Sequence, residues 1–309
     1  MSLSNAAPLP TGATIGILGG GQLGRMLALA AAELGFETHI YTPEEDSPAA
    51  RVAARVTVAR YEDSAAIAAF VKDIDVLTFE FENIPSSALM AASAAGLKTR
   101  RLGYDGKGQA KVTSEAELHA AFERFDAPCI LEAMAPFEKE FSIVAARSAN
   151  GEFAAFDASE NEHRNHILHR TLAPAAAPAV ALAEAKAATK RVMEALDYVG
   201  VGAIEFFLLP GGKVLANEKA PRVHNSGHWT QDACFKSQFE QHIRAIANWP
   251  LGAPERFANA EMINLIGDDV ADWPQWASQS GVKLHLYGKR EARPGRKMGH
   301  VVKLTPMRS

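Results

Sequence analysis

Cysteine is almost missing from this chain: only Cys129 and Cys234 occur, far apart. That leaves neither a disulfide framework nor a zinc-binding spacing, and it suits a reducing compartment. Long apolar runs are missing too. No stretch reaches the roughly 18 residues a membrane helix needs, and the first residues lack the basic region and apolar run of a signal peptide. A cytoplasmic protein with no membrane contact is expected. Nor is there an excess of charge of one sign. The formal net charge is −4 over 309 residues, which argues against a general nucleic-acid binder. The phosphate-binding template G-x-x-x-x-G-K-[ST] does not occur. What remains, 48% hydrophobic and 22% charged residues, is ordinary for a globular chain long enough for two or three domains.

One local charge imbalance stands out. Residues 283–303 hold seven Lys or Arg against a single acid, Glu291, a patch suited to a phosphorylated small molecule.

The first hundred residues alternate between strand-like and helix-like patterns. Apolar runs at 14–18, 37–41, 55–59 and 75–81 predict strands, and Leu23, Met26, Leu27, Ala30 and Leu34 predict one face of a helix. This is a βαβ pattern with a parallel sheet. Gly19-Gly-Gly-Gln-Leu-Gly24 joins the first strand to that helix and matches G-x-G-x-x-G, where backbone N–H groups approach an anion. Three readings stay open: a dinucleotide site, a turn that only permits close packing, and a pocket for another phosphate or substrate. The first is weakened because the second strand ends Tyr41-Thr42-Pro43 without the acid that would hold a ribose. Phe79-Glu-Phe-Glu-Asn83 ends the fourth predicted strand, where ligands of α/β sheets bind, although a solvated strand end reads the same way.

Val201-Gly-Ala-Ile-Glu-Phe-Phe-Leu-Leu209 and Lys213-Val-Leu-Ala-Asn-Glu218 read as one hairpin around a two-residue loop, Gly211-Gly212. If residues 210 and 213 flank that loop, Glu205 lies directly opposite Glu218, about 5 Å away. Two carboxylates that close, on a face shared with Ala203 and Phe207, are costly unless a cation lies between them. Mg²⁺, with Asn217 nearby, suits such oxygen ligands and points to ATP chemistry. The alternative is a solvated hairpin with two surface acids. The following segment, Asn217-Glu-Lys-Ala-Pro-Arg-Val-His-Asn-Ser-Gly-His-Trp-Thr230, is unusually dense in polar groups for a connection and suggests a site.

A second glycine-rich stretch holds Lys98, Arg100, Arg101 and Lys107 with Gly103, Gly106 and Gly108, and also carries Tyr104 and Asp105. It suits a lid over phosphates, or else a plain basic loop. Residues 129–144 read as two strands with a short connection and could form an adenine slot beside Met134, though a lone Met is more often core. The Ala-rich stretch 174–197 predicts a surface loop and then an amphipathic helix, and residues 1–12 a loose tail.

Taken together, these motifs resemble the N5-carboxyaminoimidazole ribonucleotide synthetases, ATP-grasp ligases of purine biosynthesis, over nearly the whole chain. The carriers are Gly-Gly-Gly-Gln-Leu-Gly-Arg-Met at 19–26, Gly-Tyr-Asp-Gly-Lys-Gly-Gln at 103–109, Glu-Lys-Glu-Phe-Ser at 138–142, and Glu160-Asn161 with His163. Two longer motifs, 217–230 and His-Leu-Tyr-Gly-Lys-Arg-Glu-Ala-Arg-Pro-Gly-Arg-Lys-Met-Gly-His at 285–300, are specific to this branch.

The resemblance implies an α/β fold: a Rossmann-like pre-ATP-grasp domain over 1–96, an ATP-grasp core over 97–250 and a small substrate-completing region over 251–309. It implies ATP-dependent carboxylation of 5-aminoimidazole ribonucleotide with bicarbonate through carboxyphosphate, by a homodimer. Lys98 and the loop Gly103, Tyr104, Asp105, Gly106, Lys107, Gly108 and Gln109 would contact ATP phosphates. Glu132, Ala133, Met134 and Ala135 would form the adenine hinge, Glu140 would hold ribose, and His163 would line the pocket. Glu205 and Glu218 would carry two Mg²⁺ ions with Asn217 beside them. Arg222, His224 and Asn225 would face bicarbonate. Lys289 and Arg296 would grip the substrate 5′-phosphate, with Glu80, Tyr104, Lys107, Gln22 and Leu23 around the rest of it.

The chain departs from the family between Gly96 and Leu97, where relatives continue for several tens of residues. A folded core cut there should expose apolar surface, so the segment is expected in a working enzyme. Lys219, Ala133 and Ala135 also replace bulkier or apolar family residues. A formate-dependent or glycinamide ligase is the nearest alternative activity. From other classes come an NAD(P)-dependent oxidoreductase and, if the segment is absent, an inactive nucleotide-binding protein.

Overall fold

The computed structural model describes residues 7–82, 84, 114–125 and 134–307. The seam at 96/97 lies outside them, as do Lys98, residues 103–109, Glu132 and Ala133.

The N-terminal part follows the sequence pattern closely. Strand β1 (Thr14–Leu18) leads into α1 (Gln22–Glu33), β2 (Glu37–Thr42), β3 (Arg55–Val58), α2 (Ser64–Phe70) and β4 (Val76–Phe79). The four strands form a parallel sheet in the order β3-β2-β1-β4. Every residue of β1 is buried, as a central parallel strand covered on both faces requires. Helix α1 buries Leu23, Met26, Leu27 and Ala30 against the sheet. Its N-cap is Gly21, which has no side chain to satisfy the first-turn N–H groups. The carboxylate of Glu80, just past the end of β4, does so instead: Gly24 N–H donates to Oε2 at 2.7 Å, and Gly21 N–H donates to Oε1. None of the three readings of the glycine loop anticipates an internal partner for these N–H groups. The anion is the chain's own carboxylate, seated where a dinucleotide's pyrophosphate would have to lie.

Beyond α3 (Glu115–Phe125), the remaining strands build one antiparallel sheet: β5 (Lys139–Arg147), β6 (Phe153–Ala155), β7 (Ser159–Arg164), β8 (Ile167–Ala173), β9 (Gly200–Leu208), β10 (Val214–Ala220), β11 (Ala258–Ile266), β12 (Val282–Leu286) and β13 (Lys297–Pro306). The order is β10-β9-β5-β7-β8-β11-β13-β12, with β6 on β5. The C-terminal strands thus extend the core sheet through the β8–β11 pair rather than standing apart from it.

Helices cover the β5–β9 region on both faces. Phe141, Ile143, Ile204 and Phe206 pack against Ala181, Ala185 and Met193 of α4 (Ala179–Ala195), the expected Ala-rich helix. Val144, Val201 and Ala203 join the cluster of Phe239 and Ile243 of α5 (Gln238–Ile246). Glu205 alternates onto this second face with Ala203, two residues away.

Two expectations need correction. The described part of the N-terminal tail, from residue 7, is tethered: Leu9 N–H donates to the Ala247 carbonyl at 2.9 Å, and Trp249 Nε1 donates to the Leu9 carbonyl at 2.8 Å. The β9–β10 turn has three residues, Pro210–Gly212, instead of two. Proline has no N–H to close a 210/213 pair, so the closing bond moves out to Leu209 N–H donating to Lys213 O at 2.8 Å. Gly211 and Gly212 both take left-handed backbone, with φ of 81° and 80°. Of the predicted strand pair over 129–144, the second is present from Lys139; the first begins on residues 129–133, outside those described, and residues 134–138 are not strand.

Candidate active site

The longer turn shifts the register, pairing Leu208 with Val214 and Phe206 with Ala216. A β-bulge then absorbs Asn217, and Glu218 comes to lie opposite Glu205 as expected. The two carboxylates sit in a cleft of about 880 Å³ over strands β5, β7, β9 and β10, which Asn217, His224 and Asn225 also line. Glu205, Glu218 and His224 each offer a ligand atom within 4.8 Å of the others, the one such group among the described residues. Burial first, and the Glu218 charge second, push Glu205 up to about 7. A divalent cation would relieve both effects, so the two carboxylates fit one.

His224 is buried and held neutral, well below the usual histidine range, by burial and then by the Arg222 and Lys297 charges. Its Nδ1 accepts the Ser226 N–H at 3.4 Å and lies 2.8 Å from Ser226 Oγ. The proton therefore sits on Nε2, which faces Glu205 Oε1 at 3.8 Å. Gln238 grips the backbone on both sides, accepting the His224 N–H at 2.9 Å and donating to the His224 carbonyl at 2.7 Å.

Further along the cleft, His163 Nδ1 lies 2.6 Å from Glu140 Oε2. Burial alone would lower His163, but the hydrogen bond and charge of Glu140, helped by Glu205, raise it above the ordinary value. Phe137 stacks on Phe207 with ring centroids 4.4 Å apart and planes 11° from parallel, leaving Phe137 an exposed flat face at the cleft. Met134 is exposed just before it.

Arg222 does not point freely into the cleft. Its Nε pairs with Glu82 Oε1 at 2.7 Å, with both side chains largely buried, and Nη1 donates to the Val223 carbonyl at 3.1 Å. Its charge, with that of Lys289, reaches Glu80, whose carboxyl burial nonetheless holds above the usual range. Lys289 donates to the Lys297 carbonyl at 2.7 Å, and burial, then Arg296, bring it down to about 8. Glu80, Arg222, Lys289 and Arg296 thus form one electrostatic neighbourhood. Gln22 sits partly exposed at the start of α1, whereas the Leu23 side chain belongs to the core and leaves only backbone for a ligand.

Phe137, Lys297, Gln238 and Asn264 have no role assigned by their sequence context alone. The available signal for Asn264 was a polar residue inside the apolar run Met262-Ile-Asn-Leu-Ile266, since buried polar groups need partners.

Three family models match: the ribonucleotide synthetase preATP-grasp domain at residues 12–101, the ATP-grasp domain at 70–239 and the phosphoribosylaminoimidazole carboxylase C-terminal domain at 260–308. The N5-carboxyaminoimidazole ribonucleotide synthase of Brucella melitensis is 45% identical over 354 residues, covering 96% of this chain and 98% of that protein. That alignment is longer than this 309-residue chain, so several tens of the relative's residues have no counterpart here. The Bacillus subtilis synthase is 37% identical over 94% of this chain and 91% of that protein. Among solved structures, the Staphylococcus aureus N5-carboxyaminoimidazole synthetase complexed with ADP superposes with a TM-score of 0.90 at 33% identity, covering 98% and 95%. The Aspergillus clavatus synthase with ADP and 5-aminoimidazole ribonucleotide gives 0.86 at 25% identity, covering 96% and 94%.

Proposed function

The chain belongs to the N5-carboxyaminoimidazole ribonucleotide synthetases, and on that footing we propose how it works as an ATP-grasp carbon–nitrogen ligase of purine biosynthesis. With ATP and bicarbonate it converts 5-aminoimidazole ribonucleotide to N5-carboxyaminoimidazole ribonucleotide, ADP and phosphate, by way of carboxyphosphate. The observation that carries this reading is the facing pair Glu205 and Glu218 in one cleft with His224 and Asn225.

Adenine lies against the open face of Phe137, and Glu140, ordered by His163, takes the ribose hydroxyls. Glu205 and Glu218, with Asn217, hold Mg²⁺, which when bound neutralises charge on the phosphate oxygens during in-line transfer. Bicarbonate meets three donors: the free edge of the Arg222 guanidinium, the Nε2–H of neutral His224, and the Asn225 amide. His224, protonated on Nε2, donates to the forming carboxyphosphate and does not act as a base. Lys289 and Arg296 clamp the 5′-phosphate of the second substrate, whose ring and ribose rest by Glu80 and Gln22. Lys98 and residues 103–109, which the resemblance would set at the ATP phosphates, lie outside the described residues.

The domain limits near residues 96 and 250 belong to the same reading, as do two Mg²⁺ ions, a homodimer and a cytoplasmic setting. The test is ADP release from Mg-ATP with and without aminoimidazole ribonucleotide and bicarbonate. Release that needs both supports the ligase. If the folded 309-residue chain binds ADP but releases none from ATP, the residues absent relative to the Brucella protein are essential, and the chain is at most a nucleotide-binding protein.

A further inference from the structure

Asn264 lies on β11, outside every motif that identifies the site, and is completely buried. The β8–β11 ladder ends at the Ile263–Arg170 pair, and the Asn264 side chain takes the next available acceptor: its Nδ2 donates to the Leu168 carbonyl at 2.8 Å. A carbonyl only accepts, so this bond fixes which end of the Asn264 amide is nitrogen. The second N–H of that nitrogen donates to Asn225 Oδ1 at 2.7 Å, and Asn225 Nδ2 returns a bond to Asn264 Oδ1 at 3.1 Å. The reciprocal pair leaves no freedom to flip Asn225, since a flip would set oxygen against oxygen and nitrogen against nitrogen. Two of the four hydrogen-bonding positions of Asn225 are used. One N–H remains, on a residue that lines the cleft three positions from Arg222 and next to His224.

We propose that Asn264 is a positioning residue for carboxylation: by locking the Asn225 amide, it holds that remaining N–H out as a donor to a bicarbonate or carboxyphosphate oxygen. The inference rests on the reading that Asn225 faces bicarbonate, and it assigns to the C-terminal strands a part in that half-reaction as well as in holding the second substrate. An unlocked amide can turn its oxygen toward the anion, which repels it. The loss should therefore fall on bicarbonate use and on the transfer of the carboxyl group, not on nucleotide binding.

The test compares Asn264→Leu, similar in volume without donors or acceptors, with Asn225→Leu and the double variant. The readouts are KM for bicarbonate, KM for ATP, and the ratio of carboxylated product to ADP released. Asn264→Leu should raise KM for bicarbonate about tenfold, the effect of one misplaced hydrogen bond to a charged group. It should also drop the product-to-ADP ratio below that of the parent, leave KM for ATP unchanged, and add little to Asn225→Leu. Asn264→Ser, which keeps a hydroxyl for Leu168, is the second variant should the leucine disturb folding, as read by its thermal transition. Parental bicarbonate KM and coupling in either folded variant, with both impaired in Asn225→Leu, would overturn the role of Asn264. If Asn225→Leu is itself unimpaired, the reading of Asn225 fails instead, and the inference with it.

Discussion

Glu205 faces Glu218 across the β9–β10 pair only because two irregularities cancel: a turn one residue longer than the tightest hairpin and a bulge at Asn217. The bulge both restores the pairing and sets the Asn217 side chain beside the two carboxylates on the rim of the cleft.

Removing one of these carboxylates should exchange function for stability. Glu205→Gln lowers kcat/KM by about 100-fold or more, the scale of losing one preorganised charge at a phosphoryl-transfer site. The metal-free variant melts higher than the parent at pH 8, because ionised Glu205 is held against burial and Glu218. Scanning calorimetry with and without Mg²⁺ checks this, and a parental metal-induced stabilisation in the variant contradicts it.

The same group sets a pH dependence. Glu205 titrates at about 7 in the fold, above the ordinary value of 4.5, so the folded state binds its proton more tightly than the unfolded one. Its contribution to stability is complete below about pH 4.5 and is lost as pH rises toward 7. Metal must displace that proton, so Mn²⁺ or Mg²⁺ affinity falls about tenfold between pH 8 and pH 6. Titration calorimetry in two buffers should also detect a proton released on binding at pH 6, and no release there would refute the assignment.

Glu80 acts as a cap supplied from a distance. Glu80→Ala leaves the Gly21 and Gly24 N–H groups without their partner and destabilises the protein by about 1–3 kcal/mol. It also uncovers an anion site at the start of α1, so inorganic phosphate should raise the melting temperature of the variant by more than that of the parent. Equal phosphate responses in the two proteins would refute the idea that Glu80 fills the site.

Glu82→Gln keeps a hydrogen bond to Arg222 and removes the charge. Arg222 then swings more freely, KM for bicarbonate rises about three- to tenfold, and KM for ATP stays put. The steady-state kinetics of the purified variant would show this, with an ATP effect as large as the bicarbonate effect counting against it.

Legibility tracked locality. Strands β1, β2, β3 and β4 were readable to within two residues at either end, because a buried parallel strand is a short apolar run and a glycine loop marks the turn into α1. The carboxylate pair was readable from the period of two along strands, although Pro210 had moved the turn. Glu80 as the partner of Gly21 was not, since nothing local joins positions 59 residues apart. Asn264 was equally silent: unlike Asn225, which sits in the polar segment 217–230, it looks like an isolated polar residue until β11 is laid beside β8. The looseness assigned to residues 1–12 fails for the described part, from residue 7, because Leu9 is held by backbone at Ala247 and by the Trp249 indole, whose positions depend on α5.

That last contact orders events in time. Phe36, at the start of β2, packs its ring 5.1 Å from Trp249, and Leu9 bonds the same indole, so the earliest part of the chain is finished by one of the later parts. On the ribosome the parallel sheet can assemble as it emerges, yet one edge of its helical layer stays unsealed until residue 249 has left the tunnel. Over that interval the chain depends on its own net charge, or on a chaperone, to keep Phe36 and its neighbours from finding another partner.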